Sequence, residues 1–78
     1  MTLAEAVRHR LLALMDEKQF SQYDFYVKGG IPKATASQIL SGSRSGRVAL
    51  KTLYEMIAAM GISLSEFFTD PIFDELSD

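Results

Sequence analysis

Two adjacent glycines followed by Ile31 and Pro32 break the chain near its middle, and this break constrains the fold more than any other feature. Glycine readily takes the left-handed conformation that stops a helix, and proline has the fixed φ suited to the first turn of the next one. Gly29-Gly30-Ile31-Pro32 therefore reads as a tight turn between two short helices. Before it, Ser21 stands where an N-cap belongs, with Asp24 three residues on. A second helix is predicted over residues 22–28, burying Phe25 with Phe20 packed at its entry. After the turn, residues 33–41 read as a third helix ended by Gly42.

Helical spacing continues on either side. Thr2 and Glu5 form a capping box that opens a first helix, and Leu3, Val7, Leu11 and Leu14 make one apolar stripe along it. Arg8, Arg10, Asp16 and Glu17 fall on its outer face, and it should end near Gln19. From about Ala49, Leu50, Leu53, Ile57 and Met60 give a fourth helix, closed by Gly61. Ser63 with Glu66 opens a short fifth helix carrying Leu64, Phe67 and Phe68, and Pro71 is predicted to end regular structure. No run alternates apolar and polar residues over strand length. The expected fold is all-α, a compact five-helix bundle over residues 1–69, followed by a short acidic and apolar tail over residues 70–78.

Seventy-eight residues suffice for one core, and a hydrophobic fraction of 47% is that of a globular chain. With no cysteine, disulfides and thiolate metal sites are excluded. The chain opens without a basic segment leading into an apolar one, and no apolar run exceeds that of residues 11–15. No membrane partner is expected, and a cytoplasmic location is. The net charge of −2 conceals a partition. Residues 20–51 carry Lys28, Lys33, Arg44, Arg47 and Lys51 against Asp24 alone, a balance of +4. Residues 66–78 carry Glu66, Asp70, Asp74, Glu75 and Asp78 with no base. Such a basic middle suits a polyanionic partner. His9 has no nucleophile or acid at a catalytic spacing, and reads as a solvated side chain. Asp70, Asp74 and Asp78 lack the glycine turn and glutamate that complete a calcium loop. No enzymatic activity, metal or cofactor is expected.

The face of the third helix sharpens the reading. Ala36, Ile39 and Leu40 point one way, while Ala34, Ser37, Gln38 and Ser41 point the other. A solvated helix usually carries Glu and Lys on that side; this one offers short or hydrogen-bonding groups. Short side chains allow close approach to another surface. Gln pairs with adenine, Lys donates to guanine O6 or N7, and an Ala methyl meets a thymine methyl. No acid lies between Asp24 and Glu55 to repel a phosphate backbone.

The ordered set Phe20-Ser21-Gln22, Gly30-Ile31-Pro32-Lys33-Ala34-Thr35-Ala36, Ser41-Gly42 and Thr52-Leu53-Tyr54-Glu55-Met56-Ile57-Ala58-Ala59-Met60-Gly61-Ile62-Ser63 resembles the Cro/C1-type (XRE, phage repressor) helix-turn-helix family. The resemblance covers residues 5–68. It implies a bundle whose third helix docks in the major groove of double-stranded DNA, usually as a homodimer on an inverted repeat. It places Lys33, Ala34 and Gln38 at base-reading positions, with Ser37 beside them. It matches Gln22 to a phosphate-binding position, Thr35 and Ser37 to positions that touch phosphate or a flanking base, and Gly30 to the turn glycine; Ser41, on the same outward face, is also expected to contact phosphate. Three departures stand out. Tyr26 replaces the family's usual alanine opposite a small Ala36, an exchange expected to conserve volume between the helices. Met15 and Leu40 occupy positions where many members bury an Arg–Glu pair. The loop after Gly42 is longer than in the most compact members, and its Arg44 and Arg47 are expected to follow the phosphate backbone or enter a minor groove.

The tail supplies a second surface. Phe68, Ile72, Phe73 and Leu76 are too many to hide on a thin domain, and a grouped apolar surface usually meets a partner. The expectation is a transcriptional regulator acting as a repressor, since steric exclusion needs no extra contact surface. The alternative is an antitoxin-like module whose C-terminal region binds a partner protein.

Overall fold

The computed structural model describes residues 1–42 and 47–77, and within them the chain forms five α-helices and no strand. They are α1 (Leu3–Lys18), α2 (Gln22–Gly29), α3 (Lys33–Ser41), α4 (Leu50–Ala59) and α5 (Leu64–Phe67), followed by a 3₁₀ turn over Pro71–Asp74.

Each boundary has a local cause. The Thr2 hydroxyl accepts from the Glu5 N–H at 3.1 Å while the Thr2 N–H donates to the Glu5 carboxylate at 2.7 Å, closing the capping box of α1. Gln19 ends α1 in the left-handed conformation (φ 54°), and its side-chain amide donates to the Asp16 carbonyl. Ser21 and Asp24 form the same reciprocal box at α2. Around it, Phe20 and Phe25 staple the helix entry, with ring centroids 4.8 Å apart. Gly30 ends α2 at φ 66°, where its N–H donates to the Tyr26 carbonyl and the Ile31 N–H to that of Phe25. Pro32 caps α3, and Gly42 closes it at φ 77°.

The core is one cluster. Leu11, Phe25, Met56, Ile57 and Phe67 are closed to solvent, and Val7, Leu14, Ile31, Ala36, Ile39, Leu40 and Leu53 complete it. Leu40 is buried and Met15 packs against this cluster, so apolar contacts fill the region where the resemblance implies a buried ion pair.

Four expectations are corrected. Leu3 and Leu50 belong to the apolar spacing of their helices, yet they are 45% and 71% exposed. Both start a helix and project past the core, and Ala6 and Met56 are buried where the simple stripes did not place them. Arg10 is not on a solvated face: its guanidinium reaches the carbonyls of Glu66 and Phe67 and the Asp70 carboxylate, and lies over the Phe67 ring. It thereby ties α1 to the end of α5, donating to the Phe67 carbonyl and joining the Thr69 hydroxyl at that of Glu66. Pro71 does not end regular structure but begins a 3₁₀ turn, because its ring suits a first helical position and the Asp70 side chain caps the Ile72 N–H. Finally, Tyr26 is not enclosed between the helices as a full volume exchange with Ala36 implies; it stays 49% exposed while Ala36 is buried.

The tail folds back over α1. Phe73 packs in a three-ring cluster with Phe67 and Phe68, and the Ser77 N–H donates to the Met1 carbonyl.

At Gly30 an added Cβ would meet open space, so the left-handed φ alone opposes substitution. Gly30→Ala is expected to destabilise by about 1 kcal/mol, and Gly30→Asn by less, because asparagine tolerates this conformation. Thermal or urea unfolding of the two variants checks the order.

Candidate nucleic-acid interface

α2 and α3 place one continuous surface on the outside of the bundle. The turn at Gly30 reverses the chain so that α3 crosses α2 while Ala36, Ile39 and Leu40 stay buried. The opposite side of α3 then faces outward by geometry alone. Lys33, Ala34, Ser37, Gln38 and Ser41 are all exposed, and Thr35 is half-buried at the helix edge. Gln22 is exposed as the first residue of α2. These seven residues therefore lie along one helix pair.

Two features tune this surface. Lys33 does not extend freely: its ammonium lies 5.0 Å from the Tyr23 ring centroid and 5.1 Å from that of Tyr26. At the other end of α3 the Ser41 hydroxyl donates to the Gln38 carbonyl, turning inward on its own helix. Beside it a groove of about 330 Å³ is lined by Arg8, Gln38, Ser41, Gly42 and Arg47, among others. The structure thus brings Arg47 next to the end of α3. Arg44 lies outside the described residues.

Arg8 was assigned only to an outer face of α1, yet its guanidinium packs against Gly42, 3.4 Å from where a Cβ would sit. Nothing local in the sequence signals this, because it depends on how α1 crosses the end of α3. The tyrosine contacts with Lys33 were equally hidden; the i, i+3 spacing of Tyr23 and Tyr26 was the available clue.

The remaining expected surface is only partly outward. Phe68 and Leu76 are each 38% exposed, whereas Ile72 and Phe73 are half-buried and Phe73 packs against the core.

A family model described as helix-turn-helix matches residues 11–67, which spans α1 from its third turn to the end of α5. The chain belongs to the Cro/C1-type helix-turn-helix family. Comparison with curated proteins and with solved structures finds no match. This is a family of DNA-binding transcriptional regulators that act on double-stranded DNA. In this helix-turn-helix domain α2 and α3 are the paired helices, and α3 is the second of the pair. Among the described residues no helix is long and apolar enough to cross a membrane, and no group of side chains is arranged to hold a metal ion.

The acid limb of stability should report the cap that orients α2. The Asp24 carboxyl is held below its ordinary value of 3.8, first by the backbone hydrogen bond from Ser21 and also by the Ser21 side chain, against the opposing effect of burial. The Glu5 carboxyl is likewise held below 4.5, chiefly by the Thr2 backbone. A carboxyl depressed on folding stabilises the protein above its unfolded value, and that contribution disappears as pH falls through the folded value. Stability should therefore fall as pH drops through and below the range of these two ordinary values, and less steeply in Asp24→Asn. Unfolding midpoints measured across that range check it.

Proposed function

We propose that this chain is a sequence-specific transcriptional repressor that docks α3 in the major groove of an operator. The observation that carries the reading is the outward face of α3. It presents Lys33, Ala34, Ser37 and Gln38, all exposed, with no acidic residue anywhere between Asp24 and Glu55. In this reading Lys33 and Gln38 contact base edges and Ala34 meets a thymine methyl, with Ser37 alongside. Gln22, Thr35, Ser41, Arg44 and Arg47 follow the phosphates on either side, and these contacts fix register without reading sequence. Arg8 joins Arg47 at the same edge, where both line one groove with Ser41.

Operator binding as a homodimer is part of the proposal. Phe68 and Leu76 are the outward members of the expected contact surface, with Ile72 and Phe73 behind them and Asp74 and Glu75 at the rim. A C2 pair using this patch would repeat the same contacts on both protomers. A cytoplasmic site of action follows from the DNA-binding role. The second reading, an antitoxin-like module that captures a partner protein, rests on the same exposed Phe68 and Leu76. A dimer that persists at micromolar concentration in sedimentation, and is lost in Phe68→Glu, supports the homodimer; a monomer throughout removes it.

The function itself is tested by selection. Incubated with a random pool of duplex DNA at near-physiological salt, the protein should retain an inverted repeat with half-sites about one helical turn apart. Lys33→Ala and Gln38→Ala should each relax one position of that repeat, losing about 1–3 kcal/mol per bidentate contact. Arg47→Ala should weaken all sequences alike and flatten the salt dependence. Retention of no sequence, with binding that vanishes as salt rises, would overturn the reading.

A further inference from the structure

The pair Tyr23 and Tyr26 is a surface feature that the fold does not explain. Their side chains are 56% and 49% exposed, and the residue that α2 buries completely is Phe25. Spaced three apart, the two tyrosines share one face of α2, with ring centroids 6.0 Å apart and planes inclined by 40°. The turn at Gly30 returns the chain so that the Lys33 side chain reaches back across them. Its ammonium stands 5.0 Å and 5.1 Å from the two centroids, within the range where a ring face attracts a cation. The ion pair found among the described residues joins Arg10 to Asp70, so the Lys33 charge faces rings and no carboxylate. Asp24, the nearest acid in sequence, accepts hydrogen from the Ser21 backbone instead.

We propose that Tyr23 and Tyr26 are positioning residues for Lys33, holding its ammonium in one place beside α3 so that it meets a single base pair in one orientation. The proposal rests on the base-reading role given to Lys33 above. A free lysine stem rotates about four bonds and must be ordered on binding, whereas a stem already held by two rings has been ordered in advance. That ordering favours the matching base over its competitors, because a fixed donor cannot shift to reach an alternative acceptor. The rings, not the phenolic hydroxyls, do the holding. Phenylalanine should therefore replace either tyrosine, whereas a hydroxyl bound directly to phosphate would be lost.

The test uses the full chain and a duplex retained from the random pool, beside a variant duplex changed at the position whose preference disappears in Lys33→Ala. Discrimination between the two duplexes should fall about three- to fivefold in Tyr26→Leu and in Tyr23→Leu, and stay within about twofold of the parent in Tyr26→Phe. In a Lys33→Ala background the leucine substitutions should change nothing. An equal loss in Tyr26→Phe, or leucine effects that persist without Lys33, would overturn the proposal in favour of direct tyrosine–DNA contact. A second readout needs neither DNA nor a variant: the Lys33 side-chain methylene protons of the free protein should resonate upfield under the ring currents. Unshifted resonances overturn the proposal even if the variants fail to fold. Should the parent protein select no duplex at all, the base-reading role itself falls and the proposal with it. That failure is distinguished from the others because it occurs before any tyrosine is changed.

Discussion

The outward surface of this protein depends on how α2 is held against α4. An eight-residue helix is too short to persist in water by its own hydrogen bonds, so its direction must come from packing. Phe25 supplies most of that packing as the one residue of α2 closed to solvent, and burial of such a ring contributes about 1.5–3 kcal/mol. The distance of approach is set at the other end of the helix. A Cβ on Gly29 would lie 3.0 Å from the Ala59 Cβ and 3.2 Å from Ile31 Cδ1, so the two helices meet where neither carries bulk. Gly30 then turns the chain with a backbone that only a left-handed residue provides.

From that arrangement the direction of α3 follows. Ile31 is buried as the chain leaves the turn, and Ala36, Ile39 and Leu40 continue into the same core, which leaves one side of α3 outside. The exposed side is unusual for its lack of charge: one lysine at its start and otherwise alanine, serine and glutamine. Such a face can approach a base-pair edge closely and still offer donors and acceptors, and in the proposed complex the cations at its margins meet the phosphates. Half of the ten acidic residues lie in the C-terminal segment, residues 66–78. Of these, Asp70 is neutralised by Arg10, and Asp74 and Glu75 remain exposed.

Features governed by neighbours in sequence were legible without coordinates. The caps at Thr2, Ser21 and Ser63, the stops at Gly30 and Gly42 and the split of α3 into buried and exposed sides all follow from spacings of two to four residues. What escaped depends on residues far apart. Arg10 meets groups 56 to 60 positions away, which no periodicity could indicate. Arg8 reaches Gly42 only because α1 crosses the end of α3. Leu50 misleads for a related reason: it keeps the apolar spacing of α4 but is that helix's first residue, and it stays 71% exposed. Tyr26 instead serves as a platform for Lys33, a role that burial-based reasoning does not anticipate.

The central claim is that DNA is met by α3 and the start of α2, not by the tail. Backbone amide spectra of the isotope-labelled protein, recorded while a duplex retained from the random pool is added, test it most directly. Perturbations concentrated at Gln22, Tyr23 and Lys33 through Ser41, with Phe73 through Ser77 unchanged as the duplex is added, are the predicted result. Shifts centred on the tail and α5, with α3 unmoved, would contradict the account.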